Sequence, residues 1–318
     1  MKRAWIFFWM LTIVWGSSYL FMRVGVEELP PAQLAFIRIS IAAVCMNALM
    51  LITKRRYPRD LKTMGALLIL GIVNTALPFT LLAWGEQTVE SGMTGVLQSI
   101  TPVFSVVLAH FMFADERITP MKIMGIALGF GGILVLTSRD LAAGGGLGGD
   151  LSGEIAILVA SLCYGIGGNF SRKLLRERES DTIVVAAVST TAAAFVAFGL
   201  MYTLPLLGER APIAYTSLSG EMLQVVLMLG FVNTFIAYLM FYEVIARLGA
   251  SRASMVTYVI PVVAVTLGAI FLDEVIDERL LVGASLIFAG LALVNGWLKR
   301  LRPQKPSAAT EAQRAVGD

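Results

Sequence analysis

Apolar residues run in long blocks, and polar positions crowd into the short gaps between them. A hydrocarbon core about 30 Å thick needs about 20 apolar residues to cross it as a helix. Windows of that size predict spans near 4–22, 32–53, 64–84, 91–113, 119–137, 153–171, 182–206, 221–245, 251–272 and 280–298. Each run is roughly twice the length of a membrane strand and lacks strict alternation, so helices are expected, which satisfy their own backbone hydrogen bonds in lipid. The fold class predicted is all-α and integral to a membrane, with ten transmembrane helices. Met1-Lys2-Arg3 and the apolar stretch to Met22 carry the charge pattern of a signal peptide. That stretch is too long for one and lacks a small-residue cleavage site, so it is read as an uncleaved first span.

The gaps predict direction. With the amino terminus inside, twenty Lys and Arg fall in inside segments, four (Arg23, Arg139, Arg210, Arg279) fall outside, and Arg38 lies within a span. Short cytoplasmic loops are the ones enriched in Lys and Arg, so both termini are expected in the cytoplasm of a cell-membrane protein. Net charge of +3 then reports topology and attraction to anionic lipid rather than nucleic-acid binding. Composition agrees: 15% of residues are charged, against about 25% in soluble domains. Cys45 and Cys163 both fall inside predicted spans with no C-x-x-C pair, which argues against a disulfide framework or a thiolate metal site. No metal or cofactor is predicted.

The blocks also repeat. Gly71-Ile72-Val73-Asn74-Thr75 returns as Gly230-Phe231-Val232-Asn233-Thr234, and at the same separation Pro102 matches Pro261. After a one-residue gap Asp115-Glu116 matches Asp273-Glu274, and Glu116, Gly125, Leu128, Gly132 keep the spacing of Glu274, Gly283, Leu286, Gly290. More loosely, Trp15-Gly16 pairs with Tyr164-Gly165 and Arg23 with Arg172. Two five-span copies are predicted, 1–141 and 151–300, joined by a Gly-rich linker over 142–150 and followed by a disordered cytoplasmic tail over 301–318. Five being odd, the second copy must enter from the opposite face, as in the inverted repeats of alternating-access carriers. The linker has no G-K-[ST] ending and follows no strand, so it is not read as a phosphate loop.

Trp15-Gly16-Ser17-Ser18, Phe36-x-Arg38, the matched prolines and the duplicated Glu-Gly-Leu-Gly spacing together resemble the EamA family of the drug/metabolite transporter superfamily, over residues 5–296. The resemblance implies a ten-span fold of two inverted five-helix repeats. It also implies a central cavity lined mainly by spans one, three, four, six, eight and nine, and export of metabolites, amino acids or toxic compounds. The seventh span departs from the symmetry, since it has no arginine matching Arg38.

Candidate residues follow from polarity and helix breaks inside the spans. Pro102 and Pro261 remove backbone donors near the centres of two matched spans and point to a binding site, or else to static kinks. Asn74 and Asn233, also matched, need partners in hydrocarbon, and these are either substrate or another helix. Trp15, Ser18, Tyr19, Gln98, Asn169 and Tyr258 are further cavity candidates on spans that the resemblance places around a cavity. Arg38 is an intramembrane charge that must face protein or water; the preferred reading is a structural anchor, on a span taken as peripheral. Glu86 and Glu243 are the candidates for proton coupling, although Arg247 stands at i+4 from Glu243 and can pair with it. Gly125-Ile126-Ala127-Leu128-Gly129 is a surface for close helix approach, within the chain or in a homodimer.

An intramembrane enzyme is the leading rival, but His110 is the single histidine and no H-E-x-x-H occurs. A non-transporting scaffold leaves the repeat unexplained, and no nucleotide-binding motif supports a pump. The function expected is secondary transport of amino acids, amines or drug-like compounds by alternating access, as an exporter, with no catalytic residues.

Overall fold

The computed structural model describes residues 2–138, 150–177, 181–253 and 255–295. The expected tail and all of the expected linker except Asp150 lie outside these residues. Among the described residues every regular element is helical. In chain order they are α1 (Lys2–Glu28), α2 (Pro31–Ile52), α3 (Leu61–Gly85), α4 (Ser91–Met112), α5 (Pro120–Leu136), α6 (Asp150–Glu177), α7 (Thr182–Thr203), α8 (Gly220–Leu248), α9 (Val256–Phe271) and α10 (Glu278–Val294). A single turn, Ala250–Ala253, precedes α9.

Among the described residues seven helices, α1 to α4 and α6 to α8, are long and apolar enough to cross a membrane. The expected spans over 119–137, 251–272 and 280–298 are realised as shorter helices of 17, 16 and 17 residues. Side chains near mid-helix, such as Val44, Phe195 and Val262, are 69%, 75% and 54% exposed. Apolar surface of that kind is at home against lipid.

Local chemistry sets the helix ends. Pro30 and Pro31 stop α1 and open α2, where a missing N–H costs nothing. Side chains of Asp60, Asp181, Ser219 and Asp277 accept from the first-turn amides of α3, α7, α8 and α10. Gly249, at φ 82°, ends α8 in a conformation that suits glycine.

Three helices are irregular inside. Ile72–Ala76 of α3 and Met228–Ile236 of α8 are π-helical, and these stretches hold the matched Asn74 and Asn233. Helix α4 consists of Ser91–Gln98 and Thr101–Met112, parted just before Pro102. Pro261, by contrast, sits inside an uninterrupted α9. The two prolines match in sequence but not in geometry.

Glycines let the helices touch. A Cβ added at Gly125 would meet the Gly290 carbonyl at 2.6 Å, and one at Gly132 would meet the Gly283 carbonyl at 2.7 Å. Gly125 thus seats against α10, and Gly129 against Ile100 and Val103 of the α4 segment, within the chain. The same crosswise rule recurs elsewhere. Gly16 seats against Val263 of α9 and Gly165 against Phe104 of α4; Gly71 seats against Ser189 of α7 and Gly230 against Ile41 of α2.

Replacing Gly290 with alanine is expected to destabilise the protein by about 1–3 kcal/mol, the usual cost of overpacking. Gly131→Ala, where an added Cβ meets nothing within 4 Å, should be close to neutral. Thermal unfolding of both variants in detergent checks the contrast.

Candidate binding cavity

Between the helices lies a cavity of about 390 Å³. Helix α1 contributes Trp15, Ser18 and Tyr19; α4 contributes Gln98 and Pro102; α8 contributes Asn233, Thr234, Tyr238 and Phe241; and α9 contributes Thr257 and Pro261. Phe79 of α3, Tyr164 of α6 and Arg38 of α2 complete the parts with distinctive chemistry. Aromatic rings form much of the wall.

Arg38 is the one charged residue in this lining, and it is 4% exposed. Its Nε donates to Thr234 Oγ1 at 3.0 Å, Nη1 lies 3.6 Å from Met22 Sδ, and the guanidinium carbon stands 3.9 Å from the centre of the Phe79 ring. No carboxylate among the described residues forms an ion pair with it. The expectation of a peripheral anchor is corrected on position: α2 runs beside α8, close enough to deliver the guanidinium to the cavity wall. Burial of a cation in a mostly apolar wall costs several kcal/mol unless a counter-charge arrives.

Trp15, Ser18, Tyr19, Gln98, Asn233 and the two prolines, all singled out by sequence, therefore come together with Arg38. Asn74, Asn169 and Tyr258 do not line the cavity. Asn74 packs against Gly167 of α6, and Asn169 donates to the Ser105 carbonyl at 2.9 Å, tying α6 to α4. Asn233 donates to the Val14 carbonyl and to Ser17 Oγ, which leaves its Oδ1 buried without a partner. Glu243 pairs with Arg247 at the surface. Glu86 caps the end of α3, wholly buried, with neither carboxylate oxygen hydrogen-bonded. Sequence reasoning passed over Phe79, Tyr238 and Phe241; the last two follow Asn233 by one and two turns, which was the available signal.

The two ends of the bundle differ. At the Leu29 end the Ser91–Gln98 part of α4 packs on α9, and Leu77–Gly85 of α3 touches α1. Glu274 accepts from the amides of Ser91 and Gly92 at 2.6 and 2.8 Å, while Arg23 donates to the carbonyls of Glu86 and Gln87. At the Lys54 end Thr101–Met112 of α4 packs on α6 rather than on α9, and Ala237–Leu248 of α8 packs on α1 rather than on α6. There Glu116 binds Arg172 at 2.9 Å and Lys122 at 3.5 Å. Those contacts, the Arg172 hydrogen bond foremost, hold its carboxyl below the usual carboxylate range. The α4–α9 packing of the first end is thus not continued at the second.

A model of the EamA-like transporter family matches residues 3–138 and again 151–296. The chain belongs to the EamA-like transporter family. As an EamA-like transporter it has full-length relatives. It is 30% identical over 311 residues to the "Uncharacterized inner membrane transporter YedA" of Escherichia coli K12, covering 97% of this chain and 95% of that one. It is 29% identical over 322 residues to the "Probable terminal-alkyne amino-acid exporter" of Streptantibioticus cattleyicolor, covering 98% and 99%. A solved crystal structure superposes with a TM-score of 0.63 over 95% of this chain and 100% of its own, at 19% identity, a likeness of fold alone. The protein is thus a membrane transporter.

In a variant lacking Cys45 and Cys163, a cysteine at Tyr238 should react with a water-borne thiol reagent about tenfold faster than one at Asn74, as expected of cavity-facing and helix-facing positions. Reaction rates measured in membrane vesicles check this.

Proposed function

We propose that this EamA-like transporter is a secondary carrier that exports small amino-acid-like metabolites across the cytoplasmic membrane by alternating access. Ten spans form two inverted repeats, 1–141 and 151–300, joined by the 142–150 linker, with both termini and the 301–318 tail in the cytoplasm. Crosswise seating supports the inversion. Gly125 meets Gly290 while Gly132 meets Gly283, and Gly16 meets Val263 while Gly165 meets Phe104. Each residue touches the sequence counterpart of its own counterpart's partner, as a two-fold axis between the repeats requires. On this reading the Lys54 end faces the cytoplasm and the cavity is open inward.

The observation that carries the substrate class is Arg38. A buried guanidinium that forms no ion pair among the described residues, in a cavity walled by aromatic rings, suits a small carboxylate with an apolar body, because the cargo supplies a charge in direct contact. The printed name of the amino-acid exporter supports the same class. Amines fit less well, since they would add a second cation. Proton coupling is assigned to Glu86, whose buried oxygens have no hydrogen-bond partner and so favour the protonated form. Glu243 is committed to Arg247 and is left out of the coupling. Catalysis has no part in this reading.

Uptake of labelled amino acids and organic amines into proteoliposomes containing only this protein, with and without a pH gradient, tests it. Saturable flux of the amino acids, enhanced by the gradient, is expected, and flux confined to amines would overturn the carboxylate assignment. Arg38→Met should lower carboxylate flux by about tenfold or more, the scale of a lost charge-assisted contact, with Arg38→Lys in between. Glu86→Gln should abolish the enhancement by the gradient while leaving exchange of labelled for unlabelled solute; Glu243→Gln should change neither.

A further inference from the structure

The four charged residues at the two mouths are two matched pairs in different arrangements. Arg23 corresponds to Arg172, and Glu274 to Glu116. At the Leu29 mouth both charges are spent on helix ends. Glu274 holds the two amides that begin α4, and Arg23 holds the carbonyls just past the end of α3. These are the signs that a helix dipole favours at each terminus. At the Lys54 mouth the counterparts hold each other instead, Arg172 Nη1 to Glu116 Oε1 at 2.9 Å, with Lys122 Nζ 3.5 Å from the other carboxylate oxygen.

The backbone records the same difference. Asp273 takes a φ of 54°, which turns the chain so that Glu274 reaches Ser91, whereas Asp115, its match, is not in the left-handed region. Packing follows suit, since α4 rests on α9 only through its Ser91–Gln98 part. At the Leu29 mouth, Gly92 and Gly268 leave room for the Glu274 carboxylate that a Cβ on either would crowd.

We infer that the two pairs are latches that exchange partners, one closing a mouth as the other opens. This rests on the alternating-access reading above. When the Lys54 mouth closes, Glu116 leaves Arg172 for the amides of Ala250 and Ser251, which stand to Ser91 and Gly92 as Asn233 stands to Asn74. Arg172 then takes the carbonyls of Ile245 and Ala246, the matches of Glu86 and Gln87. At the Leu29 mouth Glu274 and Arg23 are released and bind each other. In both states each carboxylate and each guanidinium has a partner, so neither state bears the several-kilocalorie cost of an uncompensated charge. Near-equal energies are what a carrier needs in order to cycle. The match to Gly268 is Ala109, whose methyl crowds the seat of Glu116 and tilts the balance toward the inward-open arrangement.

Reciprocal charge reversals test the exchange, because they preserve an Arg–Glu pair but put the wrong sign on every helix end. In a chain lacking Cys45 and Cys163, Thr257→Cys reports on the cavity, and Val265→Cys reports on the packing beneath Glu274. Each is labelled with a membrane-impermeant thiol reagent from one side at a time, with no substrate present. With E116R/R172E the Lys54 latch cannot form. Labelling of Val265→Cys from outside should then fall about a hundredfold or more, the scale of two lost hydrogen bonds to charged groups, while Thr257→Cys labels freely from inside. With R23E/E274R the changes should be opposite and of similar size. A static brace predicts wild-type rates for both reversals, and that result, or the same direction of change in both, overturns the exchange. Should a reversal fail to accumulate in the membrane, Glu274→Gln alone must still speed Val265→Cys labelling, and unchanged labelling overturns the exchange. Since labelling needs no cargo, absence of flux in proteoliposomes with opposite locking intact would count against the substrate assignment and leave the latches standing.

Discussion

Contact between helix backbones is the constraint on which the rest of this structure depends. In lipid an apolar helix gains nothing by burying its apolar face against another, so association rests on close van der Waals fit. Gly125, Gly132, Gly283 and Gly290 supply that fit where α5 meets α10, with carbonyls seated in the gaps that missing side chains leave. Gly16, Gly165, Gly71 and Gly230 do the same between helices nearer the cavity. Because each seat joins residues far apart in the chain, the cavity wall is shared between the two ends of the sequence.

Within that frame the binding chemistry is sparse. The wall offers rings, a few hydroxyls and amides, and a single guanidinium over Phe79. On the proposed reading that guanidinium favours occupancy by an anion over occupancy by a cation. Rigid aromatic walls around one fixed charge favour recognition by size and a single anchoring group rather than by a dense set of hydrogen bonds.

Much of this was legible in the sequence, for physical reasons that differ from residue to residue. Long apolar blocks announce helices in lipid because no other open structure satisfies the backbone there. Asn74 and Asn233 stood out as polar groups in apolar runs, yet Asn74 packs on Gly167 of α6 while Asn233 lines the cavity, a difference that arises from packing across the bundle. Arg38 was conspicuous as a charge but misplaced, because a helix on the periphery can still direct one long side chain inward. Tyr238 and Phe241 were hidden, since aromatic residues in an apolar span carry no mark of whether they face lipid, core or cavity. The short length of α9 was equally hidden, because the apolar run of 251–272 begins before the first turn of the helix at Val256.

The π-helical stretches have a bearing on ancestry. A π turn is what remains when a helix accommodates one added residue without breaking, the surplus bulging the backbone rather than shifting everything after it. Here both bulges fall on the same five-letter phrase, Gly-x-Val-Asn-Thr, in α3 and in α8. On the proposed reading of two five-helix repeats, bulges at matched sites are what one helix already carrying the extra residue would leave in both copies. The two bulges have met different fates: Met228–Ile236 borders the cavity through Asn233 and Thr234, whereas Ile72–Ala76 turns Asn74 onto Gly167 of α6.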